Sequence, residues 1–236
     1  MKRPSETATK SSFAIYTTQI LKDIMNKYTK EEEKFNSLSH LIGIILGCAV
    51  SALFISTAAK SNDTLTMLSV LLYTFGMLGS YITSTSYHAC PAERPLKQTL
   101  RKFDHAAIYW HIAGSYSPIT LIAMRDTGWW GWGLFIFVWL CAIAGTAVSL
   151  HKLKKHNRLE TACYVLMGMV VLVAFKPLLE AVSFSIVAWI IAEGVCYIAG
   201  AVLYSLHKVK YMHSVFHIFV IMGTICHMMA VWKILG

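Results

Sequence analysis

His213 and His217 are four residues apart, so on a helix both imidazoles lie on one face, about a turn from each other. Two such nitrogens can chelate one ion. A third imidazole from another helix would complete the three-ligand pattern of catalytic zinc, with water in the fourth position. His88 is the candidate for that third ligand. Asp104 is a candidate either to bind the ion directly or to hold its water, and so to move a proton. Ser84 precedes His88 by four residues, shares its helix face, and can donate a hydrogen bond to the ligands or to a developing oxyanion. Three imidazoles suit zinc, although iron, nickel and copper accept similar donors.

Chemistry of this kind needs elements that bring four separated residues to one depth. The chain has 236 residues, 56% hydrophobic and only 14% charged, with the charges clustered between long apolar runs. That pattern predicts an all-α polytopic membrane protein. Seven spans are expected, near 38–59, 64–88, 104–124, 130–150, 159–176, 184–206 and 213–235, the fifth cut short by Lys176-Pro177. Seven Lys and Arg precede the first span, four follow the second, four the fourth and two the sixth. The opposite side holds only Lys60, Arg125, Lys176 and Lys233. This asymmetry predicts a cytoplasmic N-terminus and an outside C-terminus. It also accounts for the net charge of +9 without nucleic acid. Trp129, Trp130 and Trp132 then form an outer aromatic belt.

The expected organisation is a polar tail and amphipathic interfacial helix over 1–30, followed by the seven-span domain over 31–236. None of the six cysteines forms a C-x-x-C pair, and five lie in apolar runs; they read as small buried side chains, not as disulfides. Pro118 predicts a kink, and Gly194 and Gly200 predict close helix packing.

The topology puts His88, Asp104, His213 and His217 at one level near the inner leaflet. A lone histidine at a membrane interface is ordinarily a satisfied residue with its ring among the head groups. Four ionisable groups converging at one depth are harder to explain that way, because each is costly inside a span. The other histidines divide differently. His105 points about 100° away from Asp104, and His227, ten residues past His217, lies roughly 15 Å deeper. His111 is also within a span, and His151, His156 and His207 sit in basic loops.

These residues carry a resemblance. The chain resembles the haemolysin III family, within the progestin and adipoQ receptor superfamily, from about residue 33 to the C-terminus. It holds S-x-x-x-H at Ser84–His88, DHAAIYWHIAGSYSP at 104–118, and H-x-x-x-H in HSVFHIF at 213–219. It also holds E-x-x-N-x-x-S-H at Glu33, Asn36, Ser39 and His40. The resemblance implies seven helices and a zinc ion held by His88, His213 and His217 near the cytoplasmic face, with Asp104 at the zinc-bound water and Ser84 behind the ligands. The superfamily is similar to alkaline ceramidases at this site, which implies hydrolysis of a lipid amide or ester. A multi-pass protein of the cell membrane, with a membrane lipid as substrate or ligand, is therefore expected. A non-enzymatic zinc-containing sensor or receptor-like protein is the alternative. A pore-forming haemolysin fits least, because the spans are almost uniformly apolar.

Overall fold

The computed structural model describes residues 28–152, 158–206 and 209–236. The expected tail and most of the interfacial helix over 1–30 lie outside the described residues. Helix α1 (Lys30–Lys60) opens on a reciprocal cap: Thr29 Oγ1 accepts from the Glu32 amide, and Glu32 returns its carboxylate to the Thr29 N–H. It is followed by α2 (Thr64–Ala89), α3 (Leu96–Pro118), α4 (Trp129–Lys152), α5 (Arg158–Met169), the short α6 (Phe175–Ala181), α7 (Phe184–Ser205) and α8 (Met212–Leu235). Among the described residues there is no strand.

Among the described residues, six helical runs are long and apolar enough to cross a bilayer: α1, α2, α4, the continuous α5–α6 run over Leu159–Ala181, α7 and α8. This is an integral, multi-pass membrane protein. Its outer surface agrees, with large apolar side chains turned outward on helix after helix, including Ile45, Ile143, Val173 and Phe184. The α3 helix is less apolar, because Lys97, Arg101, Lys102 and Asp104 occupy its first half. It is nonetheless the central helix, packed against α2, α4, α5 and α8. One core cluster joins α1, α2 and α8 around Tyr73, Met77 and Tyr81. A second joins α3, α4 and α5 around Tyr109 and Val138.

Several expectations change. The fifth span is not cut at Lys176-Pro177. It tightens to a 3-10 turn over Val170–Ala174 and continues through α6, where Pro177 falls in the first turn and its missing N–H costs nothing. Pro118 is the last residue of α3, and the chain leaves it through a π turn over Ile119–Ala123, with the Met124 amide reaching the Ile119 carbonyl at 2.9 Å. All six cysteines are free, but they are not buried: Cys48 and Cys163 are exposed and the other four half-exposed. Gly200 meets Phe216 and Phe219 closely, whereas Gly194 faces open space.

Helices α2 and α3 approach closely at Gly76 and Gly114. A Cβ on Gly76 would stand 2.2 Å from the Trp110 carbonyl oxygen and 3.2 Å from the Gly114 Cα. Gly76→Ala should therefore force these helices apart and cost about 1–3 kcal/mol. Gly79→Ala, whose new carbon would meet only the Trp110 ring at 3.4 Å, should be near neutral. Thermal melts of the two detergent-solubilised variants test the pair; equal melts would refute the packing argument.

At the other end of α2, Asp63 caps the helix through the Thr66 amide and pairs with Arg125, tying the α1–α2 turn to the end of α3. The Arg125 hydrogen bond, then those from Thr66, hold the Asp63 carboxyl down to about 2. A depressed carboxyl contributes stability above its unfolded value and loses it as pH falls through the folded one. Acid destabilisation between about pH 4 and 2 should accordingly be shallower in Asp63→Asn than in the wild type, read by pH-dependent melting.

Candidate metal centre

The N-terminal turns of α1 extend beyond its apolar stretch and organise the site. Successive positions on one face of this extension reach different helices. Glu32 accepts the Tyr211 amide at 2.9 Å and anchors the start of α8, where Tyr211 takes a left-handed backbone with φ of 62°. Glu33 reaches α2, accepting from His88 Nδ1 at 2.5 Å. Asn36 reaches α8 twice: its side-chain oxygen accepts from Ser214 at 2.6 Å, and its carbonyl lies 3.2 Å from His217 Nδ1. Ser39 is also 3.2 Å from that nitrogen, and His40 stacks on the His217 ring at 3.7 Å.

With both Nδ1 atoms donating to oxygens, His88 and His217 turn their Nε2 lone pairs to a common point. His213 joins them there. His213 Nε2 lies 3.2 Å from His88 Nε2 and 3.1 Å from His217 Nε2. Two ligands at ~2.0–2.1 Å from a tetrahedral ion stand about 3.3 Å apart, so the three imidazoles fit one zinc-sized cation with little adjustment. All three donor atoms lie within 4.8 Å of one another, and among the described residues no carboxylate or thiol joins them. Three protein donors leave a tetrahedral ion one open position. His88 and His217 are buried, and His213 is half-buried.

The remaining candidates lie around this trio. Asp104, half-buried on α3, stands outside the donor group and within electrostatic reach of Tyr28, Tyr87 and Tyr204. Those three rings form the wall of the centre: Tyr28 stacks on His213 at 4.7 Å, Tyr87 tilts against His88 at 4.7 Å, and Tyr204 against His213 at 5.4 Å. Burial, and then neighbouring Tyr204, Tyr87, Asp104 and Glu33, raise the Tyr28 hydroxyl well above its ordinary range, so it is neutral at any physiological pH. Ser84 is buried one turn before His88. The two His88 nitrogens face Glu33 and His213, so Glu33 is the group that orients this ring.

A family profile described as Haemolysin-III related matches residues 28–228. The chain belongs to the haemolysin III family. It is 31% identical over 200 residues to Hemolysin-3 of Bacillus cereus, which covers 85% of this chain and 90% of that protein. It is 30% identical over 197 residues to the Hemolysin-3 homolog of Bacillus subtilis (strain 168), covering 84% and 91% respectively. The likeness to Monocyte to macrophage differentiation factor of Homo sapiens, 26% over 217 residues, extends it to the wider superfamily.

Within this haemolysin III protein, the residues that sequence spacing missed are those that support the trio. Glu33, Asn36, Ser39 and His40 were visible as a motif, without their roles. Their offsets of three, three and one place them on one helical face. A charged and polar stripe at the mouth of an apolar helix was the available signal. Lys97 had none. It folds inward to Glu33 at 2.8 Å and the Tyr87 carbonyl at 2.7 Å, and so fixes the carboxylate that holds His88.

Proposed function

We propose that this protein is a zinc-dependent membrane hydrolase acting on a lipid amide or ester at the cytoplasmic side of the bundle. The observation that carries the reading is the convergence of three Nε2 atoms, each on a rigid helix, with one tetrahedral position left over. Zinc held by His88, His213 and His217 would supply Lewis acidity and a nucleophilic water near neutral pH. Glu33 and the Asn36 carbonyl fix the tautomers of His88 and His217 and strengthen their Nε2 atoms as donors. Asp104, at the tyrosine wall, takes up a proton and returns it to the leaving group. Ser84, one turn before His88, would donate to a developing oxyanion. A lipid head group would approach the trio from the interface, on the side of the half-buried His213.

The same reading assigns α3 as a seventh crossing, with the N-terminus in the cytoplasm and the C-terminus outside. The distribution of Lys and Arg supports it. From Leu96 through Ala123 the helical run is also long enough to span, at 1.5 Å per residue.

The test is incubation of purified protein with labelled lipid amides and esters, with and without chelator. Asp104→Asn should abolish turnover and leave metal content intact, because Asp104 lies outside the donor group. Unchanged turnover in that variant would remove the catalytic role. The second reading is a non-enzymatic zinc-stabilised sensor. It is favoured by the way the trio ties α2 to α8, with α1 as the brace. Chelation would then lower the melting temperature while no lipid is turned over.

A further inference from the structure

We propose that Cys196 and Cys226 form a dithiol that a membrane-dissolved quinone oxidises to a disulfide, with the buried Glu193–His227 pair beside them as its base. Both thiols are free and half-exposed, near the middle of α7 and of α8. The two helices run antiparallel, and several contacts fix their register. His227 Nδ1 meets the Glu193 carboxylate at 2.7 Å, the Tyr197 ring covers Gly223, and Gly200 lies against Phe219. The approach is close: a Cβ on Gly223 would stand 2.5 Å from the Tyr197 ring. Positions 193, 196, 197 and 200 share one face of α7, and 219, 223, 226 and 227 share the facing side of α8. Cys196 therefore falls opposite Cys226, and the two thiols stand within hydrogen-bonding reach of each other. Cysteine side chains that converge across two close helices meet the geometric requirement of a disulfide.

At mid-span the thiols are remote from water-soluble oxidants, and their half-exposure leaves them open to a reagent dissolved in the hydrocarbon. A thiol in apolar surroundings is ordinarily inert, because the thiolate is the nucleophile and needs a base or a cation beside it. Here both are at hand. Glu193 is within electrostatic reach of Cys226 and lies one turn from Cys196, and His227 adjoins Cys226 in the chain. Glu193 and His227 are themselves buried, and an ionisable pair at this depth is costly enough to call for a use. Among the described residues, His227 Nε2 and the Tyr73 hydroxyl have no hydrogen-bond partner, although their rings are 5.1 Å apart. The pair is thus not closed into a structural network, and its proton is free to move.

The chemistry balances with the quinone as the oxidant. Cys226 gives its proton to the Glu193 carboxylate, and the His227 imidazolium offsets the thiolate. The thiolate and the Cys196 thiol pass two electrons to the quinone. Its two protons come from Cys196 and from Glu193, which returns to its ionised form. Two S–H bonds break, one S–S bond forms, and the quinone leaves as hydroquinone with two new O–H bonds. The disulfide clamps α7 to α8, the helix that carries His213 and His217.

Nothing in this step uses the metal centre, so it is tested equally well on metal-free protein. The full chain in lipid vesicles is treated with a fully substituted decyl benzoquinone, hydroquinone is read by absorbance, and free thiols are mapped by mass tagging after denaturation. Free thiols should fall from six to four, with the loss at positions 196 and 226 and one hydroquinone per disulfide. Cys196→Ser and Cys226→Ser should each form no hydroquinone, and water-soluble oxidised glutathione should leave all six thiols free in the wild type. Glu193→Gln should slow the quinone reaction by about 100-fold, as loss of a general base does. Copper–phenanthroline, which needs only proximity of the thiols, should still close the bond in that variant. No thiol loss with quinone, equal loss at other cysteines, or hydroquinone from either serine variant overturns the dithiol. Oxidation by glutathione at the same rate refutes the membrane quinone as its oxidant. A normal quinone rate in Glu193→Gln, or failure of copper–phenanthroline to close its bond, refutes the base.

Discussion

Purified His217→Ala protein is expected to lose its metal. The wild type should carry one equivalent by elemental analysis, and His217→Ala and His88→Ala close to none at the same chelator concentration. His217 is the better first target because its ring is held from three sides: by the Asn36 carbonyl, by Ser39 and by the stacked His40. Removing it leaves two nitrogens where three converged, and structural or catalytic zinc sites rarely persist on two. The effect exceeds that of any neighbouring substitution because no spare donor is at hand. Among the described residues no carboxylate or thiol shares the cluster, so none can replace the missing imidazole. One retained equivalent in both variants would end the assignment.

Glu33→Gln should weaken metal binding by about 10–100-fold, the usual effect of losing a carboxylate behind a histidine ligand. The glutamine carbonyl still accepts from His88, so the ring stays oriented. What disappears is the negative charge, which makes His88 a stronger donor and which also neutralises the buried Lys97 ammonium. Lys97→Met separates those two contributions. It removes the ammonium that fixes the carboxylate but keeps the Glu33 charge, and should lower affinity less than Glu33→Gln does. A competition titration with a colorimetric chelator measures all three proteins. Equal affinities for Glu33→Gln and wild type would mean that the carboxylate serves folding alone.

The membrane-spanning character was legible from composition because charge exclusion acts on every span at once. The histidine trio was legible for a different reason. Loop charges assign a depth to each helix end, and only a few residue types make sense as ion ligands at that depth. The supporting shell was much harder to read. Glu193 sits inside an apolar stretch and Glu160 at the head of one, and each partners a histidine: Glu160 with His105 at 3.1 Å, Glu193 with His227 at 2.7 Å. Which histidine a carboxylate meets depends on the rotation of two helices about their axes. Uniformly apolar spans carry no periodicity to fix that rotation. The extent of α3 was missed because its first turns are charged, and charge in a loop and charge on a helix that emerges from the membrane look alike in sequence. The fifth span misled for the opposite reason. Pro177 stands as a stop signal in the chain, but the 3-10 turn before it restarts the helix and places the proline where no amide hydrogen is needed.

The three imidazoles come from residues 88, 213 and 217, on the second helix and the last. This spacing imposes an order on biosynthesis. A ribosome releases α1 and α2 early, with Glu33 and His88 already able to pair, but nearly the whole chain must be inserted before the other two nitrogens exist. In the proposed zinc reading, metal loading would be among the last events in the life of a nascent chain. A product truncated before α8 retains one donor of the three, too few to close the centre.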